Sequence, residues 1–310
     1  MKRLFFSLQF PLFIAFNFFL LMTAFQVLSS PDTMSRLHYD APKYNEKEEF
    51  DPSLERLNTI SKLVTYIDSV YAEKAYTDAS IKYEQNYPEI ATDVIRKRFY
   101  HGYSLYGFSN NFMAMVASQL AQNDGLSAIV VPSDILRYPF AACSQQSIVL
   151  MKLLQSKGFN TRKVGFLGKN GGHFCFEVYY NGAWHFYDPD MEPKVAVLEA
   201  YNYPGIDFLA KHKDIVLRAY PHYPREKVLD IFSHYFYGKV NASAAPNALI
   251  FQKITQFLSY TTWLFFLLSF IFVRRKYLRL SRQTHVRNSR VRFPPLQRGA
   301  SPEFNLEYQA

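Results

Sequence analysis

Two regular patterns of apolar and polar residues meet within residues 138–193. After Ser144, the apolar residues Ile148, Val149, Met151, Leu153 and Leu154 are spread around a helical circumference, which predicts a buried helix. Pro139 lies just upstream and Gly158 stands where a C-cap glycine would, so the helix is bracketed and Cys143 falls in its first turn. Residues 173–180 then change period. His173, Cys175, Glu177 and Tyr179 alternate with Phe174, Phe176, Val178 and Tyr180, which predicts a strand. Asn181-Gly182 predicts a two-residue hairpin into a second strand. A tight turn there pairs Tyr180 with Ala183, Cys175 with Asp188 and His173 with Asp190. Asp188 then lies diagonal to His173 on the same sheet face, within side-chain reach.

The rest of the chain carries longer and simpler patterns. Residues 4–28 and 254–273 are apolar and free of charge, long enough to span a bilayer. The first reads as an uncleaved anchor, although Val27-Leu28-Ser29 leaves a weak cleavage site and hence a signal peptide as the other reading. Between the spans, Asp51-Pro52 is a helix-start signal, followed by helical spacing from Leu54 through Ile67 to about Glu73. A second helical region covers about 87–122, a short apolar run 127–131, and Pro132-Ser133-Asp134 starts a turn or short helix. Prolines at 204, 221 and 224 break 195–237 into short pieces, with a helix expected over 227–237. The predicted division is an anchor at 1–28, a linker at 29–50, a folded domain at 51–240, a linker at 241–253, a transmembrane helix at 254–273 and a basic, disordered tail at 274–310. The fold class expected for the domain is α+β.

Charge refines this division. The net charge is +9, but Lys2 and Arg3 supply two of these charges and residues 274–310 seven more, which leaves 4–273 neutral. Positive residues flank the outer end of each span. By the positive-inside rule both termini are cytoplasmic and the domain lies outside or in a periplasm, at the plasma or inner membrane. The tail reads as a segment touching anionic lipid, and no folded reader of nucleic acid surrounds its charge. Aromatic patches at Phe99-Tyr100 and 103–106 are expected to pack in the core rather than line a groove.

With only two cysteines, Cys143 and Cys175, a disulfide between them would block the helix-start sulfur, and Cys175 is expected to fill space beside it. Asp188-x-Asp190-x-Glu192 begins like a calcium loop but lacks its glycine and final glutamate, so Asp190 is read as a surface or supporting residue. The remaining histidines have no metal-ligand spacing, and neither a metal nor a cofactor is expected.

Cys143, His173 and Asp188 suit a thiol nucleophile at the positive end of a helix, its base, and the group that orients the base. Here the residues carry a resemblance. Cys143, Leu153-Leu154, Gly158, Arg162, Val164, His173 and, after Trp184, Asp188-Pro189 together resemble the core of the transglutaminase-like superfamily, within the papain-like cysteine enzymes. The match covers roughly fifty residues, about a sixth of the chain. It implies a Cys-bearing helix packed on an antiparallel sheet bearing His and Asp. It also implies a catalytic triad of Cys143 as nucleophile, His173 as general base and acid, and Asp188 as orienting carboxylate. Ala141 stands where many members have glycine, and no tryptophan closely precedes Cys143, so only the Cys143 amide is named as an oxyanion donor.

The expected function is acyl transfer to an amine, or hydrolysis of an amide or peptide bond, on a protein or peptide substrate at the outer face of a membrane. The alternative is a non-catalytic, membrane-tethered binding or assembly module that keeps the fold. Sequence leaves the oligomeric state open.

Overall fold

Both central residues of the Asn181-Gly182 turn adopt positive φ, 49° and 79°. This is the backbone of a tight hairpin loop whose twist matches its strands, and it favours asparagine and glycine for that reason. The turn joins β2 (Gly171–Tyr180) to β3 (Ala183–Tyr187) in the expected register, Tyr180 opposite Ala183 and Phe176 opposite Tyr187. β1 (Asn160–Gly168) pairs antiparallel with β2, and the short β4 (Tyr235–Tyr237) with β1, giving a four-stranded sheet in the order β3-β2-β1-β4. The computed structural model describes residues 2–29, 42–46, 48–169 and 171–291. Two compact units divide the chain, one formed by its ends and the other by Ala24–Tyr260.

In chain order the helices are α1 (Lys2–Leu28), α2 (Ile60–Thr77), α3 (Tyr83–Arg98), α4 (Phe112–Ala121), the one-turn α5 (Pro132–Ile135) and α6 (Cys143–Ser156). Short helices α7 (Val195–Glu199), α8 (Ile206–Lys211), α9 (Lys213–Ala219) and α10 (Arg225–Ile231) follow the hairpin, and α11 (Pro246–Val291) ends the described chain. The larger unit is α+β, as its patterning predicts.

α6 is the centre of that unit. Val149, Leu150, Leu153 and Leu154 are fully buried, because α6 packs on β1 and β2 while α2 and α3 cover it from behind. Truncating one of these leucines to alanine would cost about 2–5 kcal/mol, the transfer term plus the cavity. A buried guanidinium fixes the segment leading into α6. Arg98 donates to the carbonyl oxygens of Leu136 and Tyr138 at 3.0 and 3.2 Å, and burial lowers its pKa to about 10.

Several boundaries differ from expectation. Asp51 does accept from the Ser53 amide, but this caps only a 3-10 turn, Pro52–Arg56; α2 begins separately under a Thr59 cap. The 87–122 region divides because the chain turns extended at Phe99, and Tyr100 bridges to Phe140. The helix expected over 227–237 stops at Ile231, and Tyr235–Tyr237 forms the edge strand instead.

The segment placed in a linker before residue 254 is helical from Pro246. Its side chains explain why: Gln252 donates to the Ala128 carbonyl at 2.6 Å and accepts from the Val130 amide, while Asn111 bonds Thr255 and Ser259. The tail is likewise helical as far as Val291, since no proline interrupts it before Pro294. Residues 292–310, the rest of that expected tail, and 30–41 of the first linker lie outside the described residues.

The second unit is built from α1 as far as Thr23 and the part of α11 beyond residue 260. α1 and α11 are both long and apolar enough to cross a membrane. They run antiparallel and meet through aromatic rings, with Phe13 on Phe270 at 5.6 Å and Phe19 stacked on Phe266 at 5.1 Å.

Candidate active site

The first turn of α6 is pinned through Gln145. Its Oε1 accepts from the Ala142 and Ser104 amides, and its Nε2 donates to the Ser104 and Ile129 carbonyls. The Ala141 backbone N–H donates a hydrogen bond to the Tyr100 carbonyl at 3.0 Å. Cys143 is thereby held at the helix start with little freedom, and it lines an open cleft of about 760 Å³.

The hairpin brings the other two residues together. His173 Nε2 and Asp188 Oδ2 are 2.8 Å apart, and the carboxylate is fully buried. Pro189 follows Asp188 and ends the strand, so the aspartate heads a tight turn in which its Oδ1 accepts from the amides of Asp190 and Met191, each at 3.1 Å. The Tyr220 hydroxyl, arriving from the end of α9, donates to Oδ2 at 2.9 Å.

The electrostatics follow from that geometry. Burial raises the Asp188 pKa, but the facing imidazole and the hydrogen bonds outweigh it and hold the carboxyl below its ordinary 3.8. Burial likewise pulls His173 toward the neutral ring, yet Asp188 dominates and its pKa stands well above 6.5. An ionised pair deep in the domain is the result.

Cys143 Sγ, a ring nitrogen of His173 and a carboxylate oxygen of Asp190 all lie within 4.8 Å of one another. His173 therefore stands between Asp188 and Cys143, and the three residues singled out from the sequence do converge. Cys175 is closer than a space-filler. Its Sγ sits 2.9 Å from His173 Nε2, and burial pushes its thiol pKa well up, so it stays protonated. Both cysteines are free thiols.

Sequence reasoning missed two neighbours of the site and left a third open. Asp190, read as either a surface or a supporting residue, is the one left open: its side chain is only 6% exposed, and its Oδ1 meets His101 Nδ1 at 2.8 Å and Gln146 Nε2 at 3.1 Å. The hydrogen bond to Asp190 is the main cause of a raised His101 pKa. Tyr103 lines the cleft beside Cys143, whereas Tyr106 of the same aromatic patch is buried on Asp134, so that patch divides between groove and core. Tyr220 is the third. The strand register, which set Asp190 across from His173, was the one available hint.

Asp188, Asp190 and Glu192 do not form a calcium loop, because each turns to a different partner; Glu192 accepts from the Glu49 amide. Among the described residues two groups have the donor atoms and spacing for a metal ion: Cys143, His173 and Asp190 on the cleft, and the buried set of His173, Cys175 and Asp188. His185 faces away, stacked on Tyr180 at 3.6 Å and bonded to the Tyr203 carbonyl. No known protein family, curated protein or solved structure matches this chain.

Proposed function

We propose that this protein is a membrane-anchored thiol enzyme of the transglutaminase-like kind that carries out acyl transfer or amide and peptide hydrolysis. The observation that carries the reading is the His173 imidazole, ion-paired with buried Asp188 on one side and facing Cys143 on the other. The Cys-bearing helix packed on an antiparallel sheet that carries His173, with Asp188 directly after its edge strand, supports the fold assignment.

In this mechanism the Cys143 thiolate attacks an acyl carbonyl carbon, forming a carbon–sulfur bond and an oxyanion that the Cys143 amide stabilises. Tyr103, which lines the same cleft, would supply a second donor. His173 passes its proton to the departing amine as the tetrahedral adduct collapses to a thioester. Water or an amine then attacks the thioester, His173 accepts the proton of that nucleophile, and thiolate departs. Asp188 holds the ring in orientation and stabilises its charged form. The two apolar helices anchor the chain, with the domain outside and both termini in the cytoplasm.

The deciding experiment incubates the full chain in detergent with an activated acyl ester and maps the adduct by mass spectrometry. An acyl group on Cys143 that disappears in His173→Ala is expected. Acylation no faster than that of free cysteine, or unchanged in His173→Ala, overturns the reading in favour of a tethered module without catalysis. Protease added to right-side-out vesicles should leave the chain beyond Arg274 intact, and cleavage there overturns the topology.

A further inference from the structure

We propose that the cleft is also a binding site for one divalent cation of the zinc class, held by Cys143 Sγ, His173 and the Asp190 carboxylate. Thiolate, imidazole and carboxylate are the donors zinc prefers, at about 2.3, 2.0 and 2.1 Å respectively. Ligand atoms around such an ion lie about 3.3–4 Å from one another. The three atoms here are within 4.8 Å of one another, so side-chain adjustments of about 1 Å close the site.

The supporting contacts are those a metal site needs. His173 is braced through Nε2 by Asp188, which leaves Nδ1 as the ring nitrogen for an ion. Asp190 is braced at Oδ1 by His101 and Gln146, which leaves Oδ2 for an ion, and its buried side chain has little room to rotate. The cleft provides both a path in and room for water in the fourth position. Binding displaces the Nδ1 proton of His173 and the thiol proton to solvent, so that two anionic ligands and a neutral imidazole balance a dication.

The alternative set, His173 with Cys175 and Asp188, fails on each count. It is sealed from solvent, and its ring nitrogen already faces Asp188 at 2.8 Å and the Cys175 sulfur at 2.9 Å, with no room between them for an ion. The neighbouring carboxylates thus divide their work: Asp188 serves the imidazole and Asp190 the ion. If the thiol-enzyme reading holds, a bound ion occupies the sulfur lone pair needed for attack, and the site is an inhibitory one.

Cobalt(II) titration of the metal-stripped, reduced full chain in detergent tests the proposal through a sulfur-to-cobalt charge-transfer band. Wild type should develop the band to a one-to-one endpoint, and zinc should displace it. Cys143→Ser should lose the band and Cys175→Ser should keep it. Asp190→Asn should weaken cobalt binding by more than tenfold, and His101→Ala by about 10- to 100-fold, the usual cost of removing an outer partner. No band in wild type, a band that survives Cys143→Ser, or one lost in Cys175→Ser overturns the proposal. So does wild-type affinity in Asp190→Asn. Acylation of Cys143 in the metal-free protein is scored separately: acylation without the band sinks only the metal site, and the band without acylation only the enzyme.

Discussion

β2 carries an ion pair at each end of one face, and the two behave in opposite ways. His173 meets Asp188 beside the cleft; Glu177, four residues on, meets Arg162 at 2.6 Å inside the sheet. Arg162 is itself sandwiched between aromatic rings, 4.3 Å from Trp184 and 3.7 Å from Tyr237. Both carboxylates are fully buried, yet burial wins at Glu177 and raises its pKa, while the imidazole and its supporting donors win at Asp188 and lower it. Glu177 receives the Ile206 amide besides Arg162, whereas Asp188 receives two amides and a phenol besides His173. The lesson is that burial alone does not set a buried carboxylate's charge; the donors around it do. One pair joins a permanent cation to the frame. The other keeps a titratable ring charged next to a thiol.

Variants can break that contrast in order of effect. Cys143→Ala should abolish acyl-adduct formation outright while leaving the melting temperature close to wild type, since little volume is lost; mass mapping and thermal melts measure the two. Asp188→Asn should lower the acylation rate by about 10⁴, the cost of a misoriented base, and circular dichroism should still report a folded domain. Arg162→Met should do the reverse. Stability in urea should fall by about 3–5 kcal/mol because Glu177 is left buried without its cation, while Cys143 in the folded fraction alkylates at the wild-type rate.

Tyr220→Phe is the mildest change. It removes one bond to a charged acceptor, worth about 1.5–3 kcal/mol. It also sharpens the pH dependence. With the folded pKa of Asp188 below 3.8, its stabilisation is present above that value and is lost as pH falls through the lowered one. With the folded pKa of His173 above 6.5, its contribution is complete below 6.5 and is lost as pH rises through the raised one. Losing the Tyr220 donor should move the acid limb of the stability profile upward and leave the alkaline limb nearly in place; urea melts across pH measure both.

Legibility in the sequence followed the range of the interactions. Strand alternation and the Asn181-Gly182 turn are local signals, and they were enough to set the β2–β3 register and to bring Asp188 to His173. The helix start at Cys143 was equally local. Asp190 was not, because its place depends on His101, 89 residues earlier, and on Gln146. Tyr220 reaches Asp188 from 32 residues away, with no periodicity to announce it. The early start of α11 had a similar cause: Gln252, in the expected linker, looks like a polar break before an apolar span, yet it is satisfied by the distant Val130 amide and Ala128 carbonyl.

The two-residue loop at Asn181-Gly182 sets which way the residues after it face. Side chains on a strand repeat every second residue, so a slip of one position would send Asp188 to the side opposite His173. A lengthened loop that shifts the pairing would disarm the site while leaving the sulfur, the imidazole and the carboxyl group all chemically intact. The phase of one hairpin is therefore as much a part of the apparatus as any of the groups it aligns.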